Sequence, residues 1–136
     1  MIRKILFVSA GALALFVTSC QKDDNSPQNS SDDRDKYVRQ WSCNETSQQQ
    51  GNSNYTITIS KDVTSANQIL VKNFYFLGNS TTTVMIVDGN NVTINSQNVS
   101  GTTLHGSGHY NSSTSLTFNF TAYDGITTDT VSVAAH

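Results

Sequence analysis

The chain has 136 residues and a formal net charge of −2, from eight Lys or Arg against ten Asp or Glu. That length holds one small domain, and so even a charge balance excludes the basic surface that a nucleic-acid-binding protein needs. Two cysteines limit the chain to one disulfide at most.

The N-terminus begins Met1-Ile2-Arg3-Lys4, two positive charges ahead of an uncharged apolar run from Ile5 to Val17. That run is shorter than the roughly 20 residues that cross a bilayer as a helix, and a basic start with a short apolar middle predicts a secretory signal. The run ends in Val17-Thr18-Ser19-Cys20. These four residues resemble the lipobox of bacterial lipoproteins, an aliphatic residue and two small ones ahead of a cysteine. The resemblance implies that a signal peptide of residues 1–19 is removed. Cys20 then heads the mature protein and is lipidated through its sulfur, with acyl chains of the palmitate kind. Several chains on one residue anchor firmly, because each buried methylene contributes about 0.8 kcal/mol. With Cys20 in the anchor, Cys43 has no disulfide partner and reads as a small buried apolar residue.

After the cysteine, Gln21-Lys22-Asp23-Asp24-Asn25 resembles the export tag of some Gram-negative surface lipoproteins, a lysine followed by paired acids. It implies an outer-membrane lipoprotein exposed at the cell surface, with the membrane as partner through the lipid on Cys20. From Gln21 to Lys36 no residue except Pro27 offers apolar surface to bury, and five Asp stand against three Lys or Arg. Such a segment cannot offset its ordering entropy, so residues 20–36 are expected to be a flexible acidic tether. As a coil it spans on the order of 20–25 Å.

Residues 37–136 make up the domain, and Ser, Thr and Asn fill 41 of these 100 positions. Thr favours strands while Asn and Ser favour turns, so the composition predicts an all-β domain. "YTITIS" (Tyr55–Ser60) and "LTFNFT" (Leu116–Thr121) alternate strictly, the signature of strands with one buried and one wet face. "NVTI" (Asn91–Ile94) and "DTVSV" (Asp129–Val133) are shorter cases, whereas "QILVKNFYFL" (Gln68–Leu77) and "TVMIV" (Thr83–Val87) are apolar on both faces. Turn residues punctuate these runs, with "DGNN" (Asp88–Asn91) and "YDGI" (Tyr123–Ile126) as tight hairpins. With runs around Trp41 and across Thr103–Tyr110, about eight strands result. An antiparallel up-and-down meander closed as a barrel removes the edges that would aggregate; a two-sheet sandwich is the alternative.

A single Trp on the first strand of such a meander resembles the lipocalin-like pattern, in which a G-x-W tripeptide begins the barrel. Here the tripeptide is Arg39-Gln40-Trp41, and Thr128–His136 has no arginine to cover the Trp as the full pattern would. The resemblance implies a small lipocalin-like β-barrel.

Chemistry is sparse. His105 and His109 in "HGSGH" share a strand face about 13 Å apart, too far for one metal ion, and no second cluster of ligands is evident, so neither a metal nor a cofactor is expected. Their neighbours Leu104, Gly106, Gly108 and Tyr110 read as the interior of a tapering barrel. The carboxylates Glu45, Asp62, Asp88, Asp124 and Asp129 lie at strand ends and turns, where turn chemistry and solubility account for most of them. Asp129-Thr130-Val131 resembles a short O-glycosylation motif of some Gram-negative surface proteins. The aromatics are more suggestive. In "NFYFLG" (Asn73–Gly78), alternation places Phe74 and Phe76 on one face and Tyr75 and Leu77 on the other, which can line a barrel mouth. The expected function is a non-enzymatic, surface-anchored module that binds a small apolar ligand or partner, with Trp41, Tyr75 and Leu77 as ligand contacts. The alternative is an interaction lipoprotein of an envelope or nutrient-uptake assembly, without a ligand cavity.

Overall fold

A computed structural model describes residues 31–136. The expected signal peptide, Cys20 and the export-like tag lie outside the described residues. Eight strands follow one another: β1 (Gln40–Ser47), β2 (Gly51–Lys61), β3 (Gln68–Lys72), β4 (Thr82–Asp88), β5 (Asn91–Val99), β6 (Thr102–Ser112), β7 (Ser115–Tyr123) and β8 (Thr128–Ala135). Short 3₁₀ turns at Asp35–Tyr37 and Phe74–Phe76 are the only helical pieces among the described residues. None of the described helices is long and apolar enough to cross a membrane.

Each strand pairs antiparallel with the next, and β1 closes on β8 through Cys43↔Ala135 to Ser47↔Val131. The sheet is a closed eight-stranded barrel rather than a sandwich. Alternation selects the inward set: Trp41, Cys43, Glu45 and Ser47 on β1, Tyr55, Ile57 and Ile59 on β2, and Leu116, Phe118, Phe120 and Ala122 on β7. These side chains fill the interior, so the barrel has a solid core and no lipocalin-like calyx. Burying each large apolar side chain contributes about 1.5–3 kcal/mol, the main force holding so short a chain closed.

Two glycines set the fit between β6 and β7. Gly106 faces Phe120 and Gly108 faces Phe118 across the ladder. A Cβ on Gly106 would stand 2.5 Å from the Phe120 Cα, and one on Gly108 would stand 2.5 Å from the Phe118 ring. The missing side chains are what admit two phenylalanines to the interior at this radius.

The barrel has two unlike poles. At one, the chain enters beside the β2–β3, β4–β5 and β6–β7 connections. Tyr37 plugs this pole, its hydroxyl donating to the Gly89 carbonyl at 3.1 Å. The Trp41 indole donates to the Tyr37 carbonyl at 2.9 Å. The Arg39 guanidinium covers the Trp41 ring at 3.6 Å from its centre, so the cation missing from the last strand comes from two residues upstream. Arg34 then donates to the carbonyls of Asp62, Ser65 and Gln68 at 2.9, 2.6 and 3.2 Å. Lys61 pairs with Asp32 and Asp35. This corrects the expected tether: residues 32–36 are strapped onto the barrel, because Arg34 finds three loop carbonyls that a composition count does not register.

At the other pole lie the β1–β2, β3–β4, β5–β6 and β7–β8 connections. Here the expected single strand Gln68–Leu77 is also corrected. β3 stops at Lys72, and Asn73, Tyr75 and Phe76 take φ of 59°, 55° and 52°, the left-handed region that side chains disfavour. The Asn73 amide donates to the Thr56 carbonyl, and its oxygen accepts from the Gly78 N–H, both at 2.9 Å, which holds the bend. Phe74 turns inward against Phe118 and Phe120, with ring centres at 5.2 and 4.7 Å, while Phe76 is left 68% exposed. Phe74 and Phe76 therefore do not share a face. A barrel end needs a plug, and Phe74 supplies it only if the strand breaks.

Candidate binding site

The β3–β4 pole holds a polar cluster inside an otherwise apolar barrel. Position 45 has the parity of Trp41 and Cys43 on β1, so its carboxylate points inward; position 129 has the parity of Val131 and Val133 on β8 and does the same. Glu45 is 4% exposed and Asp129 3%. This corrects the reading of these two as turn acids, and the signal was present in the alternation of "WSCNETS" and "DTVSVAA".

Each carboxylate is held by neutral donors. The Tyr55 hydroxyl donates to Glu45 Oε2 at 2.5 Å and the Ser53 hydroxyl to Oε1 at 3.3 Å. Asp129 Oδ2 accepts from Ser47 at 2.5 Å and from Tyr75 at 2.7 Å, while Oδ1 accepts the Gln49 N–H at 3.1 Å. The Gln50 side chain in turn donates to the Tyr75 hydroxyl at 2.9 Å. The short β1–β2 turn, the β3–β4 bend and the start of β8 thus meet at one carboxylate.

The two acids are pushed apart electrostatically. Burial raises the Glu45 pKa, the bonds from Tyr55 and Ser53 oppose this in part, and the charge of Asp129 raises it further. Burial also acts to raise Asp129, but its donors Ser47, Tyr75 and the Gln49 N–H outweigh it and hold the group below its usual range. Of the two, Asp129 holds its charge more firmly and Glu45 takes up a proton more readily. Burial, followed by the adjoining carboxylates, pushes both Tyr55 and Tyr75 upward, so both stay donors at neutral pH.

Beside Asp129 a cavity of about 350 Å³ opens to solvent between the β1–β2, β3–β4 and β7–β8 connections. Gln49 and Gln50 form one wall, Tyr75, Phe76 and Leu77 another, and Asp124 and Thr127 the third. Asp124 is fixed there by accepting the N–H groups of Ile126 and Thr127, both at 2.8 Å. Glu45 does not line this cavity; it is buried on the inner face of β1, held by Tyr55 and Ser53. Among the described residues no lysine, arginine or histidine contributes to the lining.

Of the ligand contacts expected from sequence, Tyr75 and Leu77 line the cavity, whereas Trp41 is fully buried at the opposite pole and touches none of it. His105 and His109 face outward, and His109 Nδ1 lies 3.0 Å from the Asn91 side-chain oxygen. No group of three His, Cys, Asp or Glu is placed to hold a metal among the described residues. Cys43 is buried on β1 with its thiol pushed up to about 12 by burial, which keeps it protonated and unreactive. Thr130 stands on the outer face of β8, while Asp129 of the same triplet is committed inside.

No family model matches the chain, and no curated protein matches it. Among solved structures, a redesigned β-barrel is similar over 77% of this chain and 94% of its own, with a TM-score of 0.56 and 11% identity. At that identity the likeness shows the fold alone. The class is therefore the small, closed, antiparallel β-barrel.

Proposed function

We propose that the protein is a lipid-anchored, non-enzymatic binding module of the outer membrane, probing its surroundings with the β3–β4 pole. The observation that carries this reading is the gathering of exposed apolar side chains there. Phe76, 68% exposed, lines a cavity that reaches the buried Asp129, and Ile126, 88% exposed, and the half-exposed Tyr123 lie at the β7–β8 end of the same pole. Exposed apolar groups clustered around a concavity are what a contact surface needs. The filled interior favours this over a ligand enclosed in a calyx, so the apolar contact is a rim and the cavity beneath it is polar.

The strapped chain entry fits the same reading. Residues 31–37 join the domain at the pole opposite the cavity. A lipid on Cys20 would join the domain through this pole and not through the one that holds the cavity.

Two measurements test the proposal. Cys20→Ala should move the protein from the membrane to the soluble fraction, and continued membrane fractionation would remove the anchor. Protease applied to intact cells should cleave the wild-type protein; protection would place it on the periplasmic side.

A further inference from the structure

We propose that the cavity at the β3–β4 pole is a socket for an arginine side chain presented by a partner protein. This deepens the binding-module reading and rests on it. A buried charge is ordinarily paired, because taking it out of water costs several kcal/mol. Asp129 is almost wholly buried, yet all its donors are neutral, and no basic side chain lies within ion-pair distance of Asp129 or Glu45 among the described residues. Two hydroxyls and a backbone N–H satisfy the oxygens of Asp129 without neutralising its charge. The countercharge that the fold omits is the one a partner can bring.

The rest of the cavity selects the form of that cation. Phe76 and Tyr75 give aromatic surface at its wall, Asp124 adds a second carboxylate at the mouth, and Gln50 and Thr127 add neutral polar groups. A guanidinium is flat, stacks on aromatic faces and donates five hydrogens in a fixed fork, and it loses water more easily than an ammonium. Phe76 at the cavity wall and the exposed Tyr123 and Ile126 elsewhere on the same pole ask for apolar residues flanking the cation, which places it in a protein chain rather than in a free small molecule. Anionic ligands are disfavoured by the same carboxylates.

The test uses the full chain in detergent, isotopically labelled for amide NMR. The probe is an acetylated Leu-Arg-Leu amide, and its control replaces arginine by citrulline, which has nearly the same shape and no charge. The arginine peptide should shift the amides of Gln49, Gln50, Tyr75 and Phe76, bind at least tenfold more tightly than the citrulline peptide, and weaken with added salt. Gln50→Lys places a positive charge at the exposed mouth and should abolish binding with the barrel intact, as read from unshifted core amides. Equal binding of the two peptides at this pole, or shifts caused by glucose and not by the arginine peptide, would overturn the socket while leaving a binding pole in place. If neither peptide nor glucose shifts these amides, socket and binding pole both fall.

Discussion

Tyr75 and Asp129, 54 positions apart in the chain, meet in a 2.7 Å hydrogen bond that ties the β3–β4 bend to the first inward residue of β8. Tyr75 reaches this position only from a left-handed backbone (φ 55°), a conformation that costs roughly 1–2 kcal/mol for a residue with a side chain. The bond to a buried anion offsets that cost, because hydrogen bonds to charged groups contribute about 1.5–3 kcal/mol. Tyr75→Phe keeps the ring against Phe120 and removes the hydroxyl, with its bond to Asp129 and the exposed one it accepts from Gln50. The variant should lose about 1.5–3 kcal/mol in urea unfolding at pH 7. The Asp129 carboxyl, followed by carbon NMR, should titrate at higher pH than in the wild type. An unchanged titration would show that Tyr75 does not hold the charge.

Glu45 gives a pH signature of the opposite sign to that of its neighbour. Its folded pKa lies above its ordinary 4.5, chiefly through burial. The folded state therefore binds the proton more tightly, and this contribution is complete below pH 4.5 and lost as pH rises through the folded value. Asp129, held below its ordinary 3.8, contributes above that pH and loses it as pH falls through the folded value. Glu45→Gln keeps an acceptor for Tyr55 without a titrating group. Unfolding midpoints at pH 4 and pH 7 should show the variant losing less stability than the wild type between the two. Parallel curves would mean that folding leaves the Glu45 carboxyl as acidic as in the unfolded chain.

Much of this was legible in the sequence, and where it was not the reasons are physical. Alternation in "YTITIS" and "LTFNFT" locates strands because the side-chain period of a strand is two, and turn residues between runs locate hairpins. Closure into a barrel follows from eight such strands in sequence. The plug formed by Phe74 was hidden, since "QILVKNFYFL" satisfies a strand pattern throughout. The break depends on Thr56, a residue of the neighbouring strand that caps Asn73. Tyr75 and Leu77 were legible as mouth residues, but the acid they surround was not. Charge type suggested a turn for Glu45 and Asp129, while their parity with Trp41 and Val131 pointed inward, and parity prevailed. Trp41 is the reverse case: its place on the first strand was legible, and its distance from the cavity depends on which pole the chain enters.

Gly106 and Gly108 differ in what a methyl group would strike. At Gly106 the obstacle is the Asn119–Phe120 backbone, which cannot move without disturbing the ladder, whereas at Gly108 it is chiefly the Phe118 ring, which can tilt. Overpacking a core costs about 1–3 kcal/mol. Gly106→Ala should fall at the upper end of that range and Gly108→Ala at the lower, compared by thermal unfolding. Equal losses would mean that the β6–β7 pair yields as a unit.

Arg34 acts by geometry at the chain-entry pole. One of its terminal nitrogens faces three carbonyls of the β2–β3 connection, while the other, with Nε, grips Asp32. Its side chain is largely buried, and without it the loop carbonyls must turn to water and the Asp32 carboxylate loses its partner. Arg34→Ala should lower the urea unfolding midpoint, because three loop carbonyls and the Asp32 carboxylate lose their shared donor. Arg34→Lys should recover only part of this, since an ammonium cannot serve the loop and the carboxylate from opposite sides of a planar fork. Amide exchange tells an anchored strap from a tether. In the wild type the Tyr37 N–H, bonded to the Arg34 carbonyl at 3.0 Å, should exchange slowly, and in Arg34→Ala it should exchange quickly while the β6–β7 amides stay protected. Fast exchange of Tyr37 already in the wild type would show that the acidic segment detaches from the barrel as a tether.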